Sequence, residues 1–257
     1  MADSAGGVDG GAPESWYLDP LVAQQKRDEH LALLRAWWHG GSTRVLKTDL
    51  FEEANGADEL LSAFPGRTTI IGMDVVPTTV VRARARSMRN GLFLATDVRR
   101  LALAGESVDL VFSNSTLDHF DRVSDLDEAL RELVRVLQPG GRLIVTLDNP
   151  RNPLYRVLRW VTRRGWAPMT LGHTVPRNAL ADAMRRAGVE IVGSDVLIHN
   201  PRLVSTALFM LLRRTLGRHA DKPIRFLLGA FAALGRLPTR EFTACFVAVC
   251  GRKPGGR

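Results

Sequence analysis

A chain of 257 residues suits one sizeable α/β domain with additions, or two small domains. Its apolar share of 45% is that of a globular protein with a real core, and its 35 Lys and Arg against 27 Asp and Glu favour anionic partners or a solvated basic surface. The basic residues stand mainly as pairs, Arg163-Arg164, Arg185-Arg186 and Arg213-Arg214, rather than as the run of a nucleic-acid arm, so no nucleic-acid partner is expected.

Residues 1–14 are rich in Gly, Ala, Asp and Pro, which predicts a disordered tail, and they lack the basic start and apolar core of a secretory signal. No strictly apolar stretch approaches the roughly 20 residues of a membrane span, so a cytoplasmic, soluble chain is expected, with contact at a membrane surface left open. From 15 to 42 the pattern is that of a helical cap: Leu21, Leu31, Leu33 and Leu34 recur among polar residues, with Trp16, Tyr17, Trp37 and Trp38 adding aromatic weight. Thr43–Leu50 then reads as a first strand. Thr69–Asp74, a β-branched run ending in an acid, reads as a second. A carboxylate at that strand end can accept both hydroxyls of a ribose, with Val75 against a base; the bland reading is an Asp capping the helix predicted over Thr78–Arg89.

Gly91–Ala95 is the third strand and is followed by Asp97 and Val98. Val108–Phe112 is a short apolar run suited to a strand covered on both faces. Leu126, Leu130, Leu133, Val134 and Leu137 form the stripe of a helix packed on a sheet, and Gln138-Pro139-Gly140-Gly141 stops it before another strand at Leu143–Leu147. Strand, helix and strand with short joints make a right-handed βαβ unit, hence a parallel sheet. Such sheets bind ligands at the carboxyl edge, where Ser113–Thr116 and Asp148-Asn149-Pro150 should lie.

Further on, Leu154, Val157, Leu158 and Val161 predict an amphipathic helix beside Arg156, Arg159, Arg163 and Arg164, with Trp160 and Trp166 near. A helix is expected over Arg177–Ala187, a strand over Val189–His199 and a last strand over Phe242–Val249. Cys245 and Cys250 would point to opposite faces of that strand, and no zinc spacing exists, so both should be reduced buried thiols. Between the last two strands, 203–212 and 226–235 are apolar almost all round. They predict a helical hairpin that buries both faces, under a lid, in a homodimer or at a membrane surface.

Asp97-Val98, Leu101, Val108-Asp109-Leu110-Val111, Leu117, His119 and Leu137-Gln138-Pro139-Gly140-Gly141 together resemble the central half of class I S-adenosylmethionine-dependent methyltransferases of the small-molecule branch. The likeness extends more weakly from about Thr43 to Val249. It implies an α/β fold with a seven-stranded, mostly parallel, doubly wound sheet in the order 3-2-1-4-5-7-6, filling 43–252 with insertions at about 151–176 and 201–238. It also implies S-adenosylmethionine as cofactor and methyl transfer to oxygen, carbon or nitrogen of a small apolar, lipid-like or aromatic molecule. The N-terminal helix and the 151–176 insertion would be lids, or plain packing.

Position by position, the resemblance gives Asp97 the exocyclic amine of adenine, Val98 a backbone amide for the ring, and Asn114 the amino-acid part of the cofactor. His119, and His173 from the second insertion, are candidate proton acceptors; a structural role for His119 is the competing reading. The first motif departs from the pattern: Lys47 stands where an acid is expected and Asp49 on the first glycine. Either Asp49 or Glu52 takes over the ammonium of the cofactor, or the cofactor site has been lost. The second case leaves a non-methylating member of the fold, a binding or scaffold protein or an enzyme of different chemistry. Asp109 is expected to be structural.

Overall fold

The computed structural model describes residues 19–38, 40–41, 43–55, 59–87, 91–164 and 172–255. The tail at 1–14, Trp16, Tyr17 and Trp166 lie outside these. A seven-stranded sheet runs in the order β3-β2-β1-β4-β5-β7-β6, the expected order. Its strands are β1 (Arg44–Thr48), β2 (Thr69–Asp74), β3 (Gly91–Ala95), β4 (Val108–Asn114), β5 (Leu137–Asp148), β6 (Glu190–Leu197) and β7 (Phe246–Arg252). The first five pair in parallel, and β7 runs antiparallel between β5 and β6.

The helices are α1 (Pro20–Trp37), α2 (Phe51–Asn55), α3 (Pro77–Arg86), α4 (Val123–Val136), α5 (Pro153–Arg163), α6 (Arg177–Ala187), α7 (Arg202–Leu216), α8 (Asp221–Ala233) and α9 (Arg240–Thr243). Alternation along the central strands feeds two cores, as a sheet covered on both faces requires. Leu46, Ile71, Val111, Val145 and Val247 meet Leu126, Leu130 and Leu133 of α4 and Leu180 and Met184 of α6 on one face. Val45, Ile70, Leu110, Phe112 and Ile144 meet Leu31 and Leu34 of α1 and Val80 of α3 on the other.

Several boundaries differ from expectation for local reasons. α4 ends at Val136 and β5 begins at once at Leu137, so the Gln138–Gly141 turn is a bulge inside the strand rather than a loop before it. The register jumps from Val108↔Leu137 to Leu110↔Arg142, and Gly140 takes the left-handed conformation at φ 80°, which suits a residue without Cβ. The last strand starts at Phe246, because Phe242 and Thr243 finish the short α9. Cys245 therefore precedes the strand, and both thiols, free and buried, border the same core layer instead of opposite ones.

The hairpin also departs from its expectation. α7 and α8 join α1 in a small satellite core of Leu21, Phe209, Ala220, Ile224 and Leu228. Only one face of each helix is buried: Ser205 and Phe209 on α7, Ile224 and Leu228 on α8. α1 is anchored to this unit by Asp19, which caps its own helix through Leu21 N–H and receives Arg213 at 2.7 Å. On α5 the predicted stripe is displaced. Tyr155 and Leu158 are buried, whereas Val157 is exposed.

Asp109 has the structural role assigned to it. Its Oδ2 accepts from Thr43 N–H (2.8 Å), Thr43 Oγ1 (2.9 Å) and Arg44 N–H (2.7 Å), tying the start of β1 to β4. Asp109→Ala leaves these donors without their acceptor and is expected to cost about 1–3 kcal/mol in urea denaturation.

Candidate active site

Physical necessity begins at Lys47, the fourth residue of β1, which is fully buried. An ammonium there must be matched by carboxylates. The chain supplies them within one turn: Glu53 Oε2 lies 2.8 Å and Glu52 Oε2 3.6 Å from Lys47 Nζ. Burial alone would push the ammonium towards neutrality, but Glu53, Glu52 and Asp49 overcome it and raise its pKa. Lys47 Nζ also donates to the backbone carbonyl of Asp49. Glu52 is held in turn by Lys26 of α1 at 2.9 Å. Against the effect of its burial, Lys26 and Lys47 bring its pKa down to about 2.

Asp49 keeps the path a glycine would take. It adopts φ 63°, a left-handed conformation Asp tolerates, and its Oδ1 accepts from Phe51 N–H at 2.8 Å to start α2. Burial, then the Glu52 carboxylate, raises its pKa. Leu50 points away from the crevice into the core, packed so closely on Gly72 that a Cβ there would meet it at 2.8 Å.

The other nominated side chains divide into two groups along the sheet edge. Asp74, at the end of β2, accepts from Leu50 N–H (3.0 Å) and Val76 N–H (2.8 Å), while Val75 beside it is 69% exposed. Its partner Val76 is the N-cap residue of α3, and no side chain caps that helix, so Asp74 stands two residues before the cap rather than being it. Asp97 follows β3, and its carboxylate is gripped by Arg99 through both oxygens. Val98 is buried in the core. Asn114 ends β4 as a buried side chain, accepting from Thr146 Oγ1 at 2.8 Å and donating to Glu52 Oε1 at 3.4 Å.

His119 and His173 come together at the ends of β4 and β5. His119 is exposed, on the turn after β4. The 172–174 segment crosses over it so tightly that a Cβ on Gly172 would meet the His119 carbonyl carbon at 2.5 Å. His173 N–H donates to Phe120 O at 2.6 Å, and its buried Nδ1 has no hydrogen-bond partner among the described residues.

Sequence reasoning missed Asp118, Tyr155 and Arg202, which surround Asp148. Asp118 Oδ2 accepts from Asp148 N–H at 2.7 Å and Ser115 Oγ at 3.3 Å. Burial, then the Asp148 carboxylate, pushes the Asp118 carboxyl up to about 6. Arg202 pairs with Asp148 at 2.9 Å and lies 4.2 Å from the Phe246 ring centroid. Burial, then Asp148 and Asp118, pushes the Tyr155 phenol up to about 12. These groups adjoin a small pocket, open to solvent, lined by Asp148, Asn152, Leu154, Tyr155, Leu158 and Arg202 among others.

A carboxylate-ended second strand, an acid after the third, and polar turns after the fourth and fifth, all on one edge of a sheet in this order, define the architecture of a class I methyltransferase. Comparison with known proteins agrees. The methyltransferase-domain family matches residues 53–145. A malonyl-acyl-carrier-protein O-methyltransferase of Methylovorus sp. (strain MP688) is 31% identical over 148 residues, 54% of this chain and 48% of that protein. The solved structure of a SAM-dependent methyltransferase of Thermotoga maritima, described as a possible histamine N-methyltransferase, superposes with a TM-score of 0.58 at 20% identity over 93% of each chain. That of the 4+2 cyclase SpnF does so with a TM-score of 0.57 at 20% identity, over 89% of this chain and 81% of its own. The chain has the fold of the class I S-adenosylmethionine-dependent methyltransferases, and its residues 53–145 match the methyltransferase-domain family. It spans about half the length of the curated relative it matches.

Two outcomes follow from the buried charges. Lys47→Met strands the Glu53 carboxylate, Glu52 keeping Lys26, and is expected to destabilise by about 3–5 kcal/mol, whereas Lys47→Met with Glu53→Leu should recover a substantial part of that in a double-mutant cycle. Asp118 holds its proton more tightly folded than unfolded, so between about pH 4, its unfolded pKa, and the folded value of about 6 stability should fall as pH rises. Asp118→Asn should flatten that slope in denaturation curves taken at stepped pH and raise the melting temperature at pH 7.

Proposed function

We propose that this chain transfers a methyl group from S-adenosylmethionine to a small molecule with an apolar or aromatic body. The observation that carries the reading is the pairing of Asp74, a carboxylate at the end of β2, with the exposed apolar Val75 next to it, on the edge where this fold takes its nucleoside. An ionised carboxylate has acceptor capacity beyond the two amides it already receives, so Asp74 can take ribose hydroxyls while Val75 covers the base. Asp97 reaches the adenine amine by sharing its oxygens with Arg99, and Val98 offers its backbone amide.

The methionine end fits through carboxylates instead of glycine amides. Asp49 keeps the tight turn, and the acidic pair Asp49 and Glu52 draws the ammonium, with Asn114 beside Glu52. When bound, the cofactor supplies a methyl group already activated by its sulfonium. The protein's task is then to align the acceptor, exclude water and accept a proton. His173, with a buried Nδ1 left open, is suited to receive the proton of a hydroxyl or amine, with His119 adjoining. The mixed lining of the pocket, Leu154, Tyr155 and Leu158 against Asp148 and Arg202, suits an acceptor with one polar end. The Methylovorus relative is named for methylation of a malonyl thioester carrier, and transfer to oxygen is the form we favour.

A second reading keeps the fold and drops methyl transfer, as a ligand-binding or scaffold protein or an enzyme of other chemistry. Lys47 in place of the expected acid, paired with Glu53, and the grip of Arg99 on Asp97 favour it.

Calorimetric titration with S-adenosylmethionine and S-adenosylhomocysteine separates the two. Micromolar binding that weakens by about tenfold or more in Asp74→Ala, and stays unchanged in a folded Asp109→Ala, is expected, since a charge-assisted hydrogen-bond pair is lost. No heat at millimolar ligand with folded protein selects the second reading.

A further inference from the structure

The exposed side of the α7–α8 hairpin combines exposed apolar side chains with a surplus of positive charge. Of the fifteen large apolar side chains that stand exposed, seven fall between Val204 and Phe242. Leu211 is 57% exposed and Phe226 is 75% exposed, the highest of all. Residues 201–242 also hold eight Arg and Lys against two acids, a surplus of six out of the eight net positive charges of the chain. Both acids are already engaged, Asp221 with Arg213 and Glu241 with Arg177. Arg214, Arg218, Lys222 and Arg225 form no ion pair with any described residue, and all four are exposed.

Position explains how the two features meet. Val204, Ala207, Leu211 and Thr215 follow one another at helical spacing along the face of α7 opposite Phe209. Phe226, Ala230 and Ala233 do the same on α8, opposite Ile224 and Leu228. The turn at 217–220 joins the two helices, so the four unpaired cations sit within a helical turn or so of Leu211, Leu216 and Phe226.

We propose that this face docks on an anionic lipid surface, its apolar side chains entering the headgroup–acyl boundary and its guanidinium and ammonium groups meeting lipid phosphates. Charge decides the occupant. A second copy would bring two like-charged patches together, which is repulsive, and nucleic acid gives exposed Leu and Phe side chains nothing to enter. A bilayer rich in anionic lipid answers both the charge and the apolar surface, and adhesion of this kind lies on the membrane without crossing it. Indeed, no helix among the described residues is long and apolar enough to span one. Arg202 and Leu203, the first residues of α7, line the pocket, so the docked face would adjoin its mouth. The inference is independent of methyl transfer.

The test is co-sedimentation of the full chain with vesicles of phosphatidylcholine alone or with phosphatidylglycerol added, at low and high salt. Binding to the anionic vesicles, lost at high salt, is expected. Leu211→Glu with Phe226→Glu, and separately Arg214→Gln with Arg218→Gln, should each weaken it by about tenfold, while Arg82→Gln with Arg86→Gln on the exposed face of α3 changes it by no more than about twofold. Thermal melts verify that each variant is folded. The proposal is overturned if the wild type does not sediment with anionic vesicles, if the hairpin variants bind as it does, or if sedimentation equilibrium shows a dimer that Leu211→Glu dissolves.

Discussion

The buried ammonium of Lys47 dictates the geometry around it. A cation at the centre of a parallel sheet has no water to turn to, and an unpaired charge there would cost several kcal/mol. The turn after β1 must therefore bring carboxylates back over the strand end at once, which is why α2 begins two residues beyond Asp49 and carries Glu52 and Glu53 in its first turn. Because Glu52 is shared between Lys47 and Lys26, the same pairing fixes α1 against the sheet. An exchange of acid for base at one strand position thus determines the opening turn, the short helix and the seat of the N-terminal helix.

The carboxyl edge divides along this line. On the side of β2 and β3, Asp74 and Asp97 sit beside apolar surface, an arrangement suited to a sugar and a base. On the side of β4 and β5, a denser polar cluster of Asp118, Asp148, Tyr155 and Arg202 lies under α5 and α7. On the proposed reading the labour divides by position, with the first half holding the cofactor and the second shaping and orienting an acceptor.

Much of this was legible from residues alone. The sheet order followed from the resemblance carried by a motif series spread over fifty residues, while the apolar periods placed individual strands and helices. Asp109 could be assigned because an acid at a strand start has few roles other than tying neighbours together. The replacement of acid by Lys47 was visible. Its remedy was also written nearby, in the adjacent acids Glu52 and Glu53, but charge compensation six residues apart becomes apparent only when the turn is folded. Arg202 and Asp148 are 54 residues apart, and nothing local links them. Apolar character all around α7 and α8 suggested burial on every side. Composition cannot tell how many neighbours a helix will have, and in their satellite core the two helices meet α1 and each other.

The placing of β7 has a bearing on how the molecule comes into being. β6 makes its sheet hydrogen bonds to β7 alone, and β7 slots between β6 and β5. On an emerging nascent chain, β6 must wait, together with the hairpin that follows it, until residues 246–252 have cleared the ribosome. During that interval the edge of β5 stands open, so the late strand closes the barrier to misassociation as well as the sheet.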